Sequence, residues 1–369
     1  MFTSPDANTN AFAGGVISAF NAGELDAATF VALAAIPDAA GFEAATESLL
    51  PDVTNSAVVQ VFESVNNVGR LINRRIVNTL DKDIDRLDNE GLDFVNVESG
   101  FWADGSYRFA DQSNTSDFGA STEYDATSFA FSGGYERAFA GNALIGIAGT
   151  YSNVDIDQDR QAADEIDVDI FNISVYGARR IQQLSVSGQV GYTFGDVSAE
   201  RAALTGLVTS DYDVDGFNAK FDASYDLLLR KDAYFAPLVG VRYSGISADA
   251  FTETGGLGLT IAAGDTNIVE FEAGAITGRE IKFGDALLDT YARVVYVNDI
   301  SRSDSEFRAN FGTQSIVLDS VSNADERVEL SGGADFYSND RFSIGASVDS
   351  ELANDYTSIG GTIRLKALF

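Results

Sequence analysis

The chain has 369 residues, of which 24 are basic and 56 acidic, so its formal net charge is −32. This balance excludes nucleic acid as a partner, because such binding relies on Lys and Arg side chains that neutralise phosphates. The chain has no Cys and no His, which excludes disulfides, Ser-His hydrolysis and imidazole-ligated zinc. No run of about 18 apolar residues occurs, so no transmembrane helix is predicted.

Residues 1–55 are rich in Ala and are interrupted by two Pro-Asp pairs. Short helices are predicted over Leu25–Ala35 and Gly41–Leu50, although a segment this small buries too little surface to form a core of its own. Met1–Phe20 does not have the basic and apolar regions of a signal peptide. If the protein is exported, we expect its signal peptide to lie upstream of this sequence.

A long amphipathic helix is predicted to begin at Ser56 and to end near Asn89. Its apolar residues recur at gaps of three and four, which places them on one helix face. They are Val58, Val61, Val65, Val68, Ile72, Ile76, Leu80, Ile84 and Leu87. The helix also carries Arg70, Arg74 and Arg75, and this positive charge requires a negative partner in so acidic a chain. Residues 56–97 are therefore interpreted as a helix followed by a linker.

Residues 98–369 are predicted to form twelve β-strands, because apolar and polar residues alternate along each of them. The predicted strands are Gly100–Phe109, Thr127–Phe139, Ala143–Asn153, Val168–Arg179, Leu184–Gly195, Val214–Leu229, Ala233–Ser244, Ile268–Arg279, Leu287–Asn298, Arg327–Tyr337, Arg341–Ser350 and Tyr356–Phe369. In the last strand, Ile363, Leu365 and Phe369 share an apolar face. Its length suits a tilted transmembrane β-strand, which needs about 9–11 residues.

Short and long connections alternate between these strands. The links after the even-numbered strands are short, whereas those after the odd-numbered strands are mostly long and acidic, for example residues 196–213 and 299–326. This asymmetry is typical of a transmembrane barrel, and a soluble sandwich has no reason to sort its loops by end. We therefore predict an all-β membrane fold, a 12-stranded antiparallel transmembrane β-barrel with an N-terminal α-helix in the pore.

If the apolar faces point to lipid, the inward faces carry more acids than bases. The inward acids are Asp104, Glu136, Asp222, Asp226, Glu270, Glu272 and Asp289, with Glu329, Asp335 and Asp349. The inward bases are Arg108, Lys220, Arg242, Arg293, Arg364 and Lys366. We expect the helix to plug the pore, with Arg70, Arg74 and Arg75 meeting these carboxylates. The alternative is a solvated amphipathic helix beneath the barrel.

No metal or cofactor site is predicted. Asp155, Asp157 and Asp159 offer oxygen ligands at alternate positions, as calcium sites do, but no complete loop motif accompanies them. We interpret them as part of a solvated loop. No catalytic residue is predicted either, since a hydrolase built on this chain would need a His-free pair of acids.

Several short segments together resemble one known family. They are Val68-Gly69-Arg70 and Arg75-Ile76 in the helix, Gly100-Phe101-Trp102-Ala103-Asp104-Gly105 in the first strand, Gly133-Gly134-Tyr135-Glu136 in the second, and the terminal strand that ends at Phe369. With twelve strands, they resemble the translocators of type V autotransporters of Gram-negative outer membranes. The resemblance covers roughly residues 52–369.

The resemblance implies a barrel in the outer-membrane lipid that lets an N-terminal passenger reach the cell surface, with residues 1–55 as the passenger's tail. It also implies that the outer-membrane β-barrel assembly machinery recognises the terminal strand through Ile363, Leu365 and Phe369. We expect a monomer that is not an enzyme. The alternative is a plain twelve-stranded channel or adhesin that acts through its long acidic loops.

One subgroup of this family cleaves its own pore helix between adjacent Asn residues, and Asn66-Asn67 resembles that site. The resemblance implies cyclisation of Asn66 with help from acids in the lumen. Trp102 lies farther downstream than the subgroup's spacing requires, which would carry Asn66 toward or beyond the outer mouth and away from those acids. We therefore interpret Asn66 and Asn67 as polar residues on a helix face.

Overall fold

A computed structural model describes most of the chain. The described residues are 7–25, 27–38, 41–42, 45, 56–80, 99–113, 123–139, 142–158, 164–203, 206–230, 232–255, 258–284, 286–304, 307–311, 313–318, 325–339 and 342–368. The helices whose bounds fall within these described residues are α1 (Ala7–Ala22), α2 (Ala27–Ala34) and a 25-residue helix, Ser56–Leu80. No single described helix is long and apolar enough to cross a membrane, and only the bent pair Asn10–Ala22 and Ala27–Ala34 reaches that length and composition together.

Twelve antiparallel strands close into a barrel. They are β1 (Gly100–Gln112), β2 (Tyr124–Phe139), β3 (Ala143–Gln158), β4 (Glu165–Ile181), β5 (Leu184–Ala203), β6 (Gly206–Tyr225, continued by Leu227–Arg230), β7 (Ala233–Ala248), β8 (Gly264–Phe283), β9 (Ala286–Asp304), β10 (Glu326–Asn339), β11 (Phe342–Ala353) and β12 (Tyr356–Leu368). Each strand pairs with its chain neighbours. β12 also pairs with β1, from Gly100 opposite Leu368 to Gln112 opposite Tyr356. The ring of described strands therefore has no open edge.

The barrel turns its apolar side chains outward. Phe101, Phe131 and Ile363 are 59%, 54% and 61% exposed, while their neighbours along the strands are buried or half-buried. A soluble barrel would have the opposite polarity, because its apolar residues would fill the interior. The twelve predicted strands and their predicted outward faces are confirmed.

The strands extend beyond their predicted bounds at the long-loop end. Residues 196–213 were expected to form a loop, but β5 continues to Ala203 and β6 begins at Gly206. The acids in this stretch, such as Asp196 and Glu200, alternate with inward-facing apolar residues such as Val197 and so preserve the two-residue period of a strand. The prediction of a loop was wrong because acidic composition outweighed this alternation.

Two of the long connections contribute a second sheet. Phe251–Thr252 and Thr260–Ile261 lie between β7 and β8, while Phe307–Phe311 and Gln314–Leu318 lie between β9 and β10. These strands pair in the order Gln314–Leu318, Phe307–Phe311, Thr260–Ile261 and Phe251–Thr252, and we call them the loop sheet. Their lengths, from two to five residues, are too short for an alternation pattern to predict them.

The helices α1 and α2 pack on the loop sheet around a core of their own. The buried members of this core are Phe12, Val16, Ala19, Leu33, Leu259, Ile261, Ala309 and Ile316. We call α1, α2 and the loop sheet the cap. The helix predicted over Leu25–Ala35 corresponds to α2, α1 was not predicted, and the helix predicted over Gly41–Leu50 lies largely outside the described residues. The N-terminal segment thus shares a core with loops of the barrel.

Candidate functional site

The helix Ser56–Leu80 lies inside the barrel, and we call it the pore helix. Four side-chain hydrogen bonds join it to inward-facing residues of β1, β2 and β3. They run from Gln158 Nε2 to Ser56 Oγ (3.1 Å), from Gln60 Nε2 to Tyr124 Oη (3.4 Å), from Ser64 Oγ to Ser152 Oγ (2.9 Å) and from Asn67 Nδ2 to Ser106 Oγ (3.4 Å). Gln158 ends β3 at the long-loop end, so the helix begins there and descends toward the short turns.

The apolar face of the pore helix packs against apolar residues of the lumen. Near the long-loop end, Val58 and Val61 belong to one buried cluster with Ile156 and Val168. Near the short-turn end, Val68 and Ile72 belong to another, with Trp102, Leu144 and Tyr176. The lumen was predicted to be polar, but it is apolar at both of these levels. The helix therefore presents an apolar face to a matching surface rather than to water.

Arg70 lies at the centre of a buried ion-pair network. Its Nη1 lies 3.0 Å from Glu351 Oε2 and 3.3 Å from Glu329 Oε1, and its Nη2 lies 3.6 Å from Glu63 Oε2 on its own helix. The side chains of Glu329 and Glu351 are 3% and 2% exposed. Substituting one partner of such a pair strongly destabilises the fold, because the remaining partner becomes an uncompensated buried charge. Arg70 thus fixes the register of the helix in the pore.

Barrel residues extend this network around the lumen. Arg242 pairs with Glu270, Glu272 and Glu329, Arg293 pairs with Glu272 and Glu329, Arg327 pairs with Glu270, Glu351 and Asp299, and Lys220 pairs with Glu272 and Asp222. Every named carboxylate has a basic partner within 4 Å, as buried charges require. We call these residues, with Arg70 and Glu63, the lumen network.

The other predicted acids lie on the inward face but in separate places. Lys366 Nζ is 2.6 Å from Glu136 Oε1, and Arg180 Nη2 is 2.9 Å from Asp226 Oδ2. Asp104 and Asp289 are buried on the inward faces of β1 and β9. Of the ten acids predicted to face the lumen, Asp222, Glu270, Glu272 and Glu329 belong to the lumen network.

Some predicted site residues cannot be compared with side-chain positions. Arg74 and Arg75 belong to the pore helix, but their side chains lie outside the described set, as do Phe369 and Asp159. Ile363 and Leu365 are described, and they lie on the outer face of β12 with exposed side chains. Asp155 and Asp157 are exposed on the outer face of β3, where they belong to a strand rather than to the predicted loop.

Asn66 occupies a different environment from the one expected. It is 5% exposed and lines a cavity of about 30 Å³ together with Glu63, Glu270, Arg327 and Glu351. Asn66 was expected to lie away from the lumen acids, and this was wrong, because the pore helix carries Glu63 itself and β8 and β11 add the other two at that level. Among the described residues, Asn66 Oδ1 has no hydrogen-bond partner.

Four members of the lumen network were missed in the sequence. Glu351 and Asp299 were assigned to loops, Arg327 was placed at the outermost end of a strand, and Glu63 was not noticed on the helix. The signal for Glu63 was present, since residues seven apart lie on one helix face and Glu63 precedes Arg70 by seven. No signal of that kind was available for Glu351, whose inward direction depends on where β11 ends.

Comparison with known proteins identifies the family to which this sequence is similar. The sequence model of the "Autotransporter beta-domain" family matches residues 101–349. Outer membrane protein B of Rickettsia japonica is 23% identical over 295 residues, which cover 74% of this chain and 17% of that protein. The same protein of Rickettsia prowazekii is 22% identical, over 75% of this chain and 18% of that protein. The chain thus spans less than a fifth of these relatives.

Two solved structures share the fold. The translocator domain of the autotransporter NalP from Neisseria meningitidis aligns with a TM-score of 0.63 at 15% identity, covering 83% of this chain and 98% of that one. The beta domain of the Bordetella autotransporter BrkA aligns with a TM-score of 0.57 at 18% identity, covering 74% and 100%. Because the family model matches more than half of the sequence, this chain belongs to the autotransporter beta-domain family.

Proposed function

We propose that this chain is the translocator of a longer protein. It inserts into the outer membrane of a Gram-negative bacterium and conducts an N-terminal passenger to the cell surface. The observation that carries this proposal is the direction of the pore helix, which begins at the long-loop end beside Gln158 and runs toward the short turns. A chain threaded through the pore in this direction has its N-terminal side at the long-loop end of the barrel, which faces the cell exterior.

We further propose three functional segments. Residues 1–55 contain the end of the passenger, residues 56–97 form the pore helix and its linker, and residues 98–369 form the barrel. Within the second segment, Arg70 anchors the helix through the lumen network, and Arg74 and Arg75 add positive charge to the same helix. The domain is a transporter, and its side chains position a polypeptide rather than a reacting substrate.

The closed barrel bears on the oligomeric state of the chain and on the partners of its terminal strand. The β1–β12 seam completes the ring within one chain, which supports a monomer. The outward Ile363 and Leu365 of the terminal strand are exposed to lipid in the folded state. We propose that before closure the same strand, with Phe369, is bound by the outer-membrane β-barrel assembly machinery. A plain channel or adhesin has less support, because the pore is filled by the helix and two of the long loops fold with the N-terminal segment.

Self-cleavage between Asn66 and Asn67 is opposed by the helix itself. Carboxylates that could accept a proton line the same cavity as Asn66. However, the helix is continuous from Ser56 to Leu80, and cyclisation would have to bring the Asn66 amide nitrogen onto its own carbonyl carbon. We predict that mass spectrometry of the folded protein finds the intact chain. Two fragments that Asn66→Ala abolishes would contradict this prediction.

The translocator function is tested by protease access on intact cells. An epitope fused ahead of Met1, with a signal peptide supplied, should be removed by external protease while the barrel stays intact. A matched control places the epitope in the β4–β5 turn at Gln182–Gln183, which should be protected. Protection of the N-terminal epitope, in cells where an epitope in residues 159–163 is digested, would overturn the proposal.

A further inference from the structure

We infer that the loop sheet is a docking platform for the chain's own exported segment, and that docking of α1 and α2 holds this segment outside the barrel. The inference rests on the proposed function and goes beyond it, because it assigns a role in retention to two barrel loops. The segment concerned lies directly ahead of the pore helix. It is therefore the exported part of the chain that lies nearest to the platform.

The contact between the two partners is apolar and fully enclosed. Phe12, Val16 and Ala19 of α1 are 0–1% exposed. Ile261 of the loop sheet is 2% exposed, and Leu259, which directly precedes the strand Thr260–Ile261, is 0% exposed. α1 presents these residues at gaps of three and four, so one helix face covers the sheet. Burial of this apolar area favours the docked state by the hydrophobic effect.

The fit between α1 and the edge strand of the platform is specific. A Cβ atom placed on Gly15 would overlap Ile316 Cδ1 and Cγ1, so the helix approaches the strand closely only because residue 15 has no side chain. At the end of the helix, Thr313 donates two hydrogen bonds to the Glu24 carboxylate, one from its hydroxyl and one from its backbone nitrogen (3.3 Å). A helix docked at random would not combine these features.

The platform is held firmly to the barrel. Arg201 of β5 forms a bidentate ion pair with Glu253, at 2.8 Å from Nε to Oε1 and 2.6 Å from Nη2 to Oε2, and Leu259 N donates to Glu253 Oε2 at 2.9 Å. The ring of Phe251 stacks on that of Tyr212 of β6 at 4.3 Å between centroids. Anything docked on the loop sheet is therefore fixed relative to the barrel.

Neither partner has a core without the other. α1 and α2 have 16 and 8 residues, near or below the length at which isolated helices are marginal in water. The loop sheet has strands of two to five residues, and one face of such a sheet must be covered for it to be stable. Ordering of the platform and capture of the segment are thus one event, available only at the outer end of the barrel. This makes the contact directional, since it favours the exported position over the periplasmic one.

The test compares two substitutions on adjacent residues of the edge strand. Ile316→Glu places a carboxylate in the buried contact, whereas Val317→Glu places it on the opposite, 45% exposed face of the same strand. In the purified full chain, we expect hydrogen exchange of the α1 amides to accelerate at least about tenfold in Ile316→Glu, because an unpaired carboxylate is not tolerated in an apolar core. The Val317→Glu chain should exchange like the wild type.

The same pair is then followed in cells by pulse-chase, with the epitope ahead of Met1. We expect the rate at which the epitope becomes accessible to external protease to fall severalfold in Ile316→Glu and to stay unchanged in Val317→Glu, with both barrels folded. Equal rates in the two variants would overturn retention while leaving the translocator function intact. A wild-type epitope that never becomes accessible would overturn the translocator function, and the inference with it.

A pair of compensating substitutions tests whether faster exchange arises from loss of docking rather than from misfolding. Gly15→Ala alone should undock α1 through the overlap with Ile316. Adding Ile316→Ala removes the overlapping atoms, so the double variant should regain slow amide exchange relative to Gly15→Ala. If Gly15→Ala exchanged at the wild-type rate, the close helix–strand contact would be absent in solution and the inference would be wrong.

Discussion

The pore helix and α1 are two helices of one chain held in opposite ways. The pore helix is fixed by buried ion pairs around Arg70 in addition to its apolar face, whereas α1 is fixed by an apolar core and one carboxylate at its end. Buried ion pairs tolerate few partners, because each unmatched charge is penalised. Apolar contacts tolerate more variation as long as volume is preserved. The pore should therefore select one register of the chain, while the apolar core of the cap should tolerate substitutions that preserve its volume.

The largest expected effect is on channel conductance, which should depend on the pore helix and not on α1 or α2. Removal of residues 1–88 takes away the pore helix, and we expect single-channel conductance to rise on the order of tenfold, because a helix of about 10 Å diameter leaves the pore. Removal of residues 1–45 takes away only α1 and α2 and should leave conductance at the full-chain level. Planar bilayer recordings make this comparison. Equal conductance of the 1–88 deletion and the full chain would show that the helix is not a plug.

The second effect is the energetic weight of the lumen network. Arg70→Met leaves Glu63, Glu329 and Glu351 without their shared cation, and we expect a loss of about 3–5 kcal/mol in the free energy of unfolding, as for other one-sided breaks of buried pairs. Urea unfolding of the barrel in lipid vesicles measures it.

The matched control is an exposed pair at the short-turn end. Arg279 Nη2 lies 2.8 Å from Asp232 Oδ2, with side chains 63% and 30% exposed. Arg279→Met should therefore cost at most about 1 kcal/mol. If Arg70→Met cost no more than this control, the lumen network would not be what holds the helix.

The smallest effect belongs to the cap. Ile316→Val removes one buried methyl group, and we expect docking of α1 to weaken by about 0.5–1.5 kcal/mol, measured as faster amide exchange in Ala7–Ala22. Val317→Ala, on the exposed face, should change it by less than about 0.5 kcal/mol. Equal effects of the two substitutions would show that docking of α1 does not depend on the Ile316 face of the strand.

The barrel strands could be predicted from the sequence because the alternation of apolar and polar residues is visible within each strand, whichever strands flank it. Leu365 and Arg364 fall on opposite faces whichever strands flank β12. The same alternation continues through Asp196–Glu200, where a composition rich in acids was mistaken for a loop. Strand ends depend on pairing partners and are therefore harder to predict than the strands themselves.

The site was predictable only in part. Arg70 could be singled out because a cation on a helix within an acidic barrel needs a partner, and Glu270 and Glu272 follow from inward parity. That Glu351 and Arg327 meet at the same level depends on strand stagger, which is a property of the closed ring. The contact within the cap could not be predicted, because Phe12 and Ile316 are 304 positions apart and the five-residue strand of Ile316 is too short to show an alternation pattern.

The extension of β5 and β6 beyond the membrane determines how far the loop sheet lies from the lipid surface. β5 has 20 residues, of which about 10 suffice to cross the hydrocarbon, so about 10 rise beyond it. At about 3.3 Å per residue and a tilt of about 40°, this part reaches roughly 25 Å above the membrane. Arg201 and Tyr212, which hold the loop sheet, lie on this rising part. The β5–β6 hairpin thus holds the loop sheet, and with it α1 and α2, at a fixed distance from the lipid surface.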